Sequence, residues 1–521
     1  MQKQASKNHS LAQKASQVSI ATLISRLLGY ARDMIIASAF GATMAADAFY
    51  VAYKIPNLLR SLLGEGSLST SLIPVYTGYL ARKEDKEAEE LLGSVFGIFG
   101  LLFIALTILG IIFAPGIIRL IAPGFTADPE KFKLTLILTR IMFPFLMTVG
   151  FGAIALGVLN SWRLFFIPAL APSFLSISEI LFILFLSSYF DPPIKVLAYG
   201  VLVGGVLQFL VQLYPIIKRS VSLRISFNFN HPGIKRIASL MLPAIIGLSI
   251  TQINSFVDTI CATLLTAGSV THLYYGNRLM QFPLAMFGTA VATVTLPIMS
   301  EYAANKRTDL LKNTLSSSIR SVSFLIIPSA IGLIFLGRPI VQMLFERGQF
   351  LPTDTSAAYF ALALYSSGLF FYAGIKVFVS AFHSLQDTKT PVKIACFAML
   401  INMTLNILVI TVPVLREKFS SAGLAGATSA AAGVNLLLLI FTFIKKQGKF
   451  SDGKILPSIS KHIFSAGILA IFLYRANIFT SDFSVYLRTP ILIFSGALIY
   501  FGVAFLLRTP ELSLIGKLLR R

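Results

Sequence analysis

The stretch "SRLLGYARDMIIASAFG" (residues 25–41) has the makeup of a membrane helix, yet it carries Arg26, Arg32 and Asp33. A charge at mid-bilayer costs roughly 2.5–3.5 kcal/mol. On a helix, Arg26 and Asp33 lie two turns apart on one face, with Arg32 beside Asp33. An apolar helix with a charged face belongs in a membrane only if that face is turned away from lipid, toward protein or water.

The rest of the chain supports the membrane reading. Of its 521 residues, 55% are hydrophobic and 13% charged, against about 25% charged in soluble domains. Mean hydropathy is +0.78. Apolar runs of about 20 residues, enough to cross a ~30 Å hydrocarbon core, recur from end to end. Length, Pro/Gly breaks and polar connections such as "ARKEDKEAEE" and "SSYFDPPIK" predict an all-α polytopic protein with about fourteen transmembrane helices. These fall near 15–40, 48–79, 91–113, 133–159, 164–189, 196–217, 236–265, 271–303, 314–337, 357–384, 391–413, 422–445, 458–477 and 485–507.

The net charge of +22 does not make this a nucleic-acid binder, because the basic residues are spread over short loops rather than gathered into a patch. Their asymmetry instead orients the chain. Lys83, Lys86, Lys218, Arg219, Arg224, Lys235, Arg236, Lys306, Lys445 and Lys446 fall on one side, with far fewer on the other. Both termini, including the tail "GKLLRR", are predicted to be cytoplasmic. No cleavable signal peptide is visible. Cys261 and Cys396 sit in separate spans without metal-ligand spacing and read as buried thiols.

The halves repeat at an offset of about 223 residues. "IPVYTGYLARK" (73–83) lies over "LPIMSEYAANK" (296–306), and "GVLNSWRLFFIP" (157–168) over "SAFHSLQDTKTP" (380–391). Shifted by one, Lys54 falls on Arg278 and Gly64 on Gly288; shifted by two, Asp33 falls on Asp258. Six helices per repeat give both the same orientation, as in transporters built from parallel repeats. This predicts an N-terminal lobe (1–220), a C-terminal lobe (221–450), a central cavity, and two appended helices (451–521).

Lys54, Asn57, Arg60 and Gly64 occupy one wedge of the second helix, with Glu65 at its edge. Cations (Arg26, Arg32, Lys54, Arg60, Arg278) exceed anions (Asp33, Asp47, Glu65) in these helices, implying an anionic substrate. Guanidinium forks suit phosphate oxygens, so a diphosphate headgroup is the natural candidate. Competing readings are interfacial snorkelling for Arg26 or Arg60, a structural pair for Arg32 and Asp33, and a helix cap for Asp47. Gly64 and Gly66 read equally as a hinge or a close-packing site. No G-x-x-x-x-G-K-[ST] pattern is present, so ATP is not the direct drive. A membrane enzyme would need a loop-borne acidic motif or a large soluble domain, and neither is visible.

On "SRLLGYARDMIIASAFG", "ADAFYVAYKIPNLLRSLLGEGSLSTSLIPVY", "YYGNRLMQFPLAMFG" and "QDTKTPVKIA", the chain resembles the MurJ (MviN) lipid II flippase family of the multidrug/oligosaccharidyl-lipid/polysaccharide exporter superfamily. The resemblance implies two six-helix lobes around a V-shaped cavity, with the last two helices bordering a groove for the polyprenyl tail. It implies essential arginines at Arg26, Arg32, Arg60 and Arg278 and an acidic position at Asp47; Asp33, Asn57 and Glu65 also match family motifs. The implied activity is movement of lipid II, undecaprenyl-diphosphate disaccharide-pentapeptide, from the inner to the outer leaflet of the bacterial cytoplasmic membrane. That transport, by alternating access, would serve peptidoglycan synthesis and cell shape, alongside other cell-wall synthesis proteins. Some members are similar in carrying a sodium site, which would map to Asp258 and Asp387. Here His383 stands where an amide would be the better ligand, and Asp387 reads equally as a turn cap. Membrane potential or another coupling ion is the alternative drive. The rival functions are a flippase for another polyprenyl-linked glycan and a drug/cation antiporter of the same superfamily, which should favour a carboxylate-lined cavity.

Overall fold

The structure is a computed structural model that describes residues 2–219, 224–450 and 452–512. For residues 2–15, 63–66, 244, 246–248 and 250–251 it describes the backbone alone. The tail "GKLLRR" lies outside the described residues. All described elements are helical. Among the described residues ten segments are long and apolar enough to cross a membrane, or eleven if one pair bent by 43° counts as a single span.

Packing divides the chain into two compact units, residues 1–264 and 265–521. The first holds α1 (Gln2–Phe40), α2 (Met44–Leu59), a π-helix (Arg60–Leu68), α3 (Ser69–Ala81), α4 (Asp85–Ile121), α5 (Pro129–Met142), α6 (Phe145–Ser161), α7 (Phe166–Leu170), α8 (Pro172–Leu186), α9 (Lys195–Lys218) and α10 (Pro232–Thr263). In the second are α11 (Ser269–Pro283), a second π-helix (Leu284–Thr289), α12 (Ala290–Ala304), α13 (Thr308–Phe345), α14 (Pro352–Ser367), α15 (Leu369–Ser384), α16 (Lys389–Thr411), α17 (Pro413–Gln447), α18 (Ile455–Phe479) and α19 (Val485–Leu506). Although α10 opens the second repeat in sequence, it packs within the first unit, against the π-helix, α3 and α4.

Helix α4 carries the logic of the membrane belt. Its inner face buries Phe99, Phe103, Thr107, Gly110, Ala114 and Ile118 at helical spacing. Its outer face exposes Leu101, Ile104, Ile108, Ile112 and Phe113. A helix apolar on both faces suits hydrocarbon, where a soluble protein would turn charge outward. Small residues let neighbours approach closely: a Cβ at Gly110 would lie 1.9 Å from the ring of Phe143.

The backbone repeats several features at matching places in the two sequence repeats. Lys83 (φ +59°) and Lys306 (φ +54°) are left-handed turn residues at equivalent positions, as are Arg163 (φ +61°) and Gln386 (φ +58°). The expected helix over 48–79 is a helical run widened in its middle by the first π-helix, and the second π-helix starts at the matching place, Leu284 for Arg60. Such wide turns are uncommon and recur at functional sites. Helices α18 and α19, outside the repeat, pack on α13. There Arg320 of α13 pairs at 3.1 Å with buried Glu511.

Candidate functional site

The charges of the opening stretch part company along α1. Helix α1 packs against α7 and α8, and on it Asp33 is fully buried. Arg32 donates from Nη2 and Nε to Oδ1 of Asp33 (2.7 and 3.0 Å) and from Nη1 to Oε2 of Glu179 on α8 (3.0 Å). Glu179 is 2% exposed, so one guanidinium serves two buried carboxylates. A buried charge is tolerated only when paired in this way. Arg32 and Asp33 therefore form a clamp between α1 and α8, as the structural-pair reading anticipated.

Nearly two turns toward the N-terminus α1 is covered only in part, with Ala21 fully buried. Arg26 is exposed there, beside exposed Leu23 and Leu27. Among the described residues no carboxylate lies within ion-pair distance of it. Arg26 and Asp33 share a helix face, yet only one of them is covered.

Asp47 is not the cap of α2. Thr43 holds that place, its hydroxyl accepting from the amide of Ala46 at 3.4 Å. Asp47, 1% exposed, instead accepts from Nζ of Lys131 at 3.2 Å. Lys131 enters because Asp128 caps α5 by accepting from the amides of Glu130 and Lys131, with Pro129 opening the helix. Its ammonium also lies 4.0 Å from the ring centroid of Phe125, a cation–π contact. The outer connection expected at Lys131 is thus a buried ion-pair partner.

Further along α2, Lys54 reaches α10. Its ammonium donates to the carbonyl of Ser255 (2.6 Å) and to the hydroxyl of Thr259, lies 5.6 Å from the ring of Phe256, and is within electrostatic reach of Asp258. Asn57 and Arg60 come together: Nε of Arg60 donates to Oδ1 of Asn57 at 2.9 Å. The amide thereby orients the guanidinium at the mouth of the π-helix. Gly64, Glu65 and Gly66 follow on that π-helix, and their side-chain surroundings lie outside the described residues.

In the second unit, Arg278 is half-buried on α11. The start of α11 is tied to α14 by His272, whose Nε2 lies 3.2 Å from Oδ1 of Asp354. Asp354 also accepts from the amide of Leu351 at 2.9 Å, capping α14.

The implied sodium ligands fit other partners. Asp387 closes the turn after α15, accepting from the amide (3.0 Å) and hydroxyl (2.7 Å) of Thr390 and from the ammonium of Lys446 (2.6 Å). Burial alone would raise its pKa, but Lys446 and Thr390 hold the carboxyl at about 2. His383 is exposed. An ammonium thus faces Asp387, and that of Lys54 is within electrostatic reach of Asp258. Among the described residues no group of three His, Cys, Asp or Glu could hold a metal.

Glu179 and Lys131 escaped the sequence reading. Glu179 is a lone carboxylate in the apolar run "PSFLSISEILFILFL", and the cost of burying it was the signal that a cation must face it. Lys131 gave no such signal, because the loop before it looked aqueous.

The family model described as lipid II flippase MurJ matches residues 36–494. The chain is 39% identical to the probable lipid II flippase MurJ of Buchnera aphidicola subsp. Acyrthosiphon pisum, over 81% of each chain. It is 38% identical to that of Vibrio cholerae serotype O1, again over 81% of each. Among solved structures, a lipid II flippase MurJ in an inward closed conformation aligns with a TM-score of 0.78 and 30% identity, covering 94% of this chain and 98% of that one. An inward-facing multidrug resistance MATE transporter of the MOP superfamily shares the fold alone, with a TM-score of 0.67 at 15% identity, over 83% of this chain and 97% of its own. The helices make this a multi-pass membrane protein, and the chain belongs to the lipid II flippase MurJ family.

Proposed function

We propose that this chain moves lipid II from the inner to the outer leaflet of the bacterial cytoplasmic membrane by alternating access, as a transporter and without covalent chemistry. The observation that carries the reading is the division of labour among its membrane cations. Arg32 and Lys131 are locked to buried carboxylates, whereas Arg26 is exposed on a membrane helix and Arg60 donates to the side-chain amide oxygen of Asn57. A guanidinium in a membrane helix is expensive, and a diphosphate is the ligand whose paired oxygens fit its fork.

In this reading Arg26 and Arg60 engage the diphosphate from the first unit. Arg278 is assigned to substrate on sequence grounds alone, as is the lobe division 1–220 and 221–450. Residues 451–521 accommodate the polyprenyl tail. Asn57 positions Arg60; Lys54 sets the side of α2 that faces α10. Asp47, Asp33 and Arg32 act through the packing they secure, and Glu65 belongs to the same proposed surface. Both termini are cytoplasmic on the evidence of the Lys/Arg asymmetry. No step is assigned to sodium.

The test is the amount of lipid II reachable by a membrane-impermeant reagent on cells depleted of the protein. Exposure should fall on depletion and return with wild type but not with Arg60→Leu. Unchanged exposure on depletion would contradict the reading.

A further inference from the structure

Before α10 begins, residues 224–231 run along α4. A Cβ at Gly93 would lie 2.0 Å from the carbonyl oxygen of Arg224, and one at Gly97 would lie 2.2 Å from that of Ser226. The two glycines thus open a channel in α4 that the linker backbone fills. Ser226 donates its amide to the carbonyl of Gly93 (3.1 Å), Asn228 donates its side-chain amide to Glu90 (3.0 Å), and the His231 ring stands 3.6 Å from Glu87. His231 then caps α10 by accepting from the amide of Gly233 at 3.0 Å.

With Ser226 and Asn228 turned to α4, the alternation of an extended segment turns Ile225, Phe227 and Phe229 outward. They are 69%, 57% and 58% exposed. A row of large apolar side chains facing outward marks an interaction surface, and its position indicates the partner. Ile225 lies against Gly97, one helical turn from Leu101, where the exposed apolar belt of α4 begins. The row is therefore continuous with the hydrocarbon-facing surface, at its edge. Exposed Lys218, Arg219, Arg224, Lys235 and Arg236 flank it in sequence. Of the nearby acids, Glu87 and Glu90 already face the linker.

We propose that residues 224–230 are an interfacial anchor. Ile225, Phe227 and Phe229 insert between the headgroups of anionic phospholipid, and the flanking basic residues meet its phosphates. Apolar side chains beside clustered Lys and Arg are the composition that binds an anionic bilayer surface.

The chain's single tryptophan, Trp162, makes a clean probe possible. Full-length protein carrying Trp162→Phe and Phe227→Trp is placed in nanodiscs of phosphatidylcholine, with or without phosphatidylglycerol. Residue 227 should be quenched by lipids brominated near the glycerol end of the acyl chain and only weakly by aqueous iodide. Quenching by bromolipid should be roughly twofold or more stronger with phosphatidylglycerol, and that difference should vanish when the five flanking basic residues are changed to Gln. Strong iodide quenching without bromolipid quenching would overturn the proposal. So would shielding from iodide that needs no lipid, which would assign the row to a protein partner, and so would equal quenching in the two lipid mixtures.

Discussion

The two π-helices occupy the same place in the two sequence repeats, yet their chemistry differs. The first begins at Arg60, preceded by Lys54 and Asn57; the second begins at Leu284, preceded by Arg278 and Gln281. Further back, Arg32 and Asp33 correspond to Val257 and Asp258. The bridge between the second helix of a repeat and its fourth also recurs with reversed polarity. A carboxylate on α2 meets an ammonium on α5 in the first unit, and an imidazole on α11 meets a carboxylate on α14 in the second. Duplication preserved backbone devices, including left-handed turns and wide helical turns, while charge was redistributed.

The comparison breaks hardest at Arg32. Arg32→Val, which gives the first repeat the residue of the second, strands two buried carboxylates and should remove about 3–5 kcal/mol of stability, seen as a large fall in unfolding temperature in detergent. Next is Lys131→Met. Asp47 is 1% exposed, so losing its ammonium should cost about 3 kcal/mol. His272→Gln, in the more open bridge of the second unit, should cost less than about 1 kcal/mol. Thermal unfolding of the pair separates them. Asn57→Ala removes one orienting hydrogen bond from Arg60, about 1 kcal/mol, so substrate affinity should weaken about fivefold with the unfolding temperature unchanged.

The smallest effect concerns Asp387. Its folded pKa of about 2 lies below the ordinary value near 3.9, so its pairing contributes above about pH 4 and is lost as pH falls toward 2. Lys446 is 46% exposed, which limits the contribution to less than about 1 kcal/mol. Asp387→Asn should therefore lower the unfolding temperature slightly at pH 7 and by progressively less as pH falls toward 2.

The membrane class and the duplication were legible because both are written in local composition and order. Apolar runs must be about as long as the bilayer is thick, and "IPVYTGYLARK" over "LPIMSEYAANK" aligned turn residues that prove to share a left-handed backbone. The facing of Asn57 toward Arg60 was equally local, one turn of helix. Arg32 and Arg26 could not be told apart, because what separates them is which side chains of α1 the rest of the fold covers, a tertiary fact. The pairing of Arg32 with Glu179 joins residues far apart in sequence, and the pairing of Asp387 with Lys446 does the same. The π-helices left no periodicity of their own to read.

The central claim is that Arg26 works on substrate whereas Arg32 holds the fold. It is tested most directly by measuring lipid II binding and thermal unfolding together for purified Arg26→Ala. The account predicts a loss of about 1.5–3 kcal/mol of binding, roughly ten- to hundredfold, at an unchanged unfolding temperature. Wild-type affinity in Arg26→Ala would contradict it.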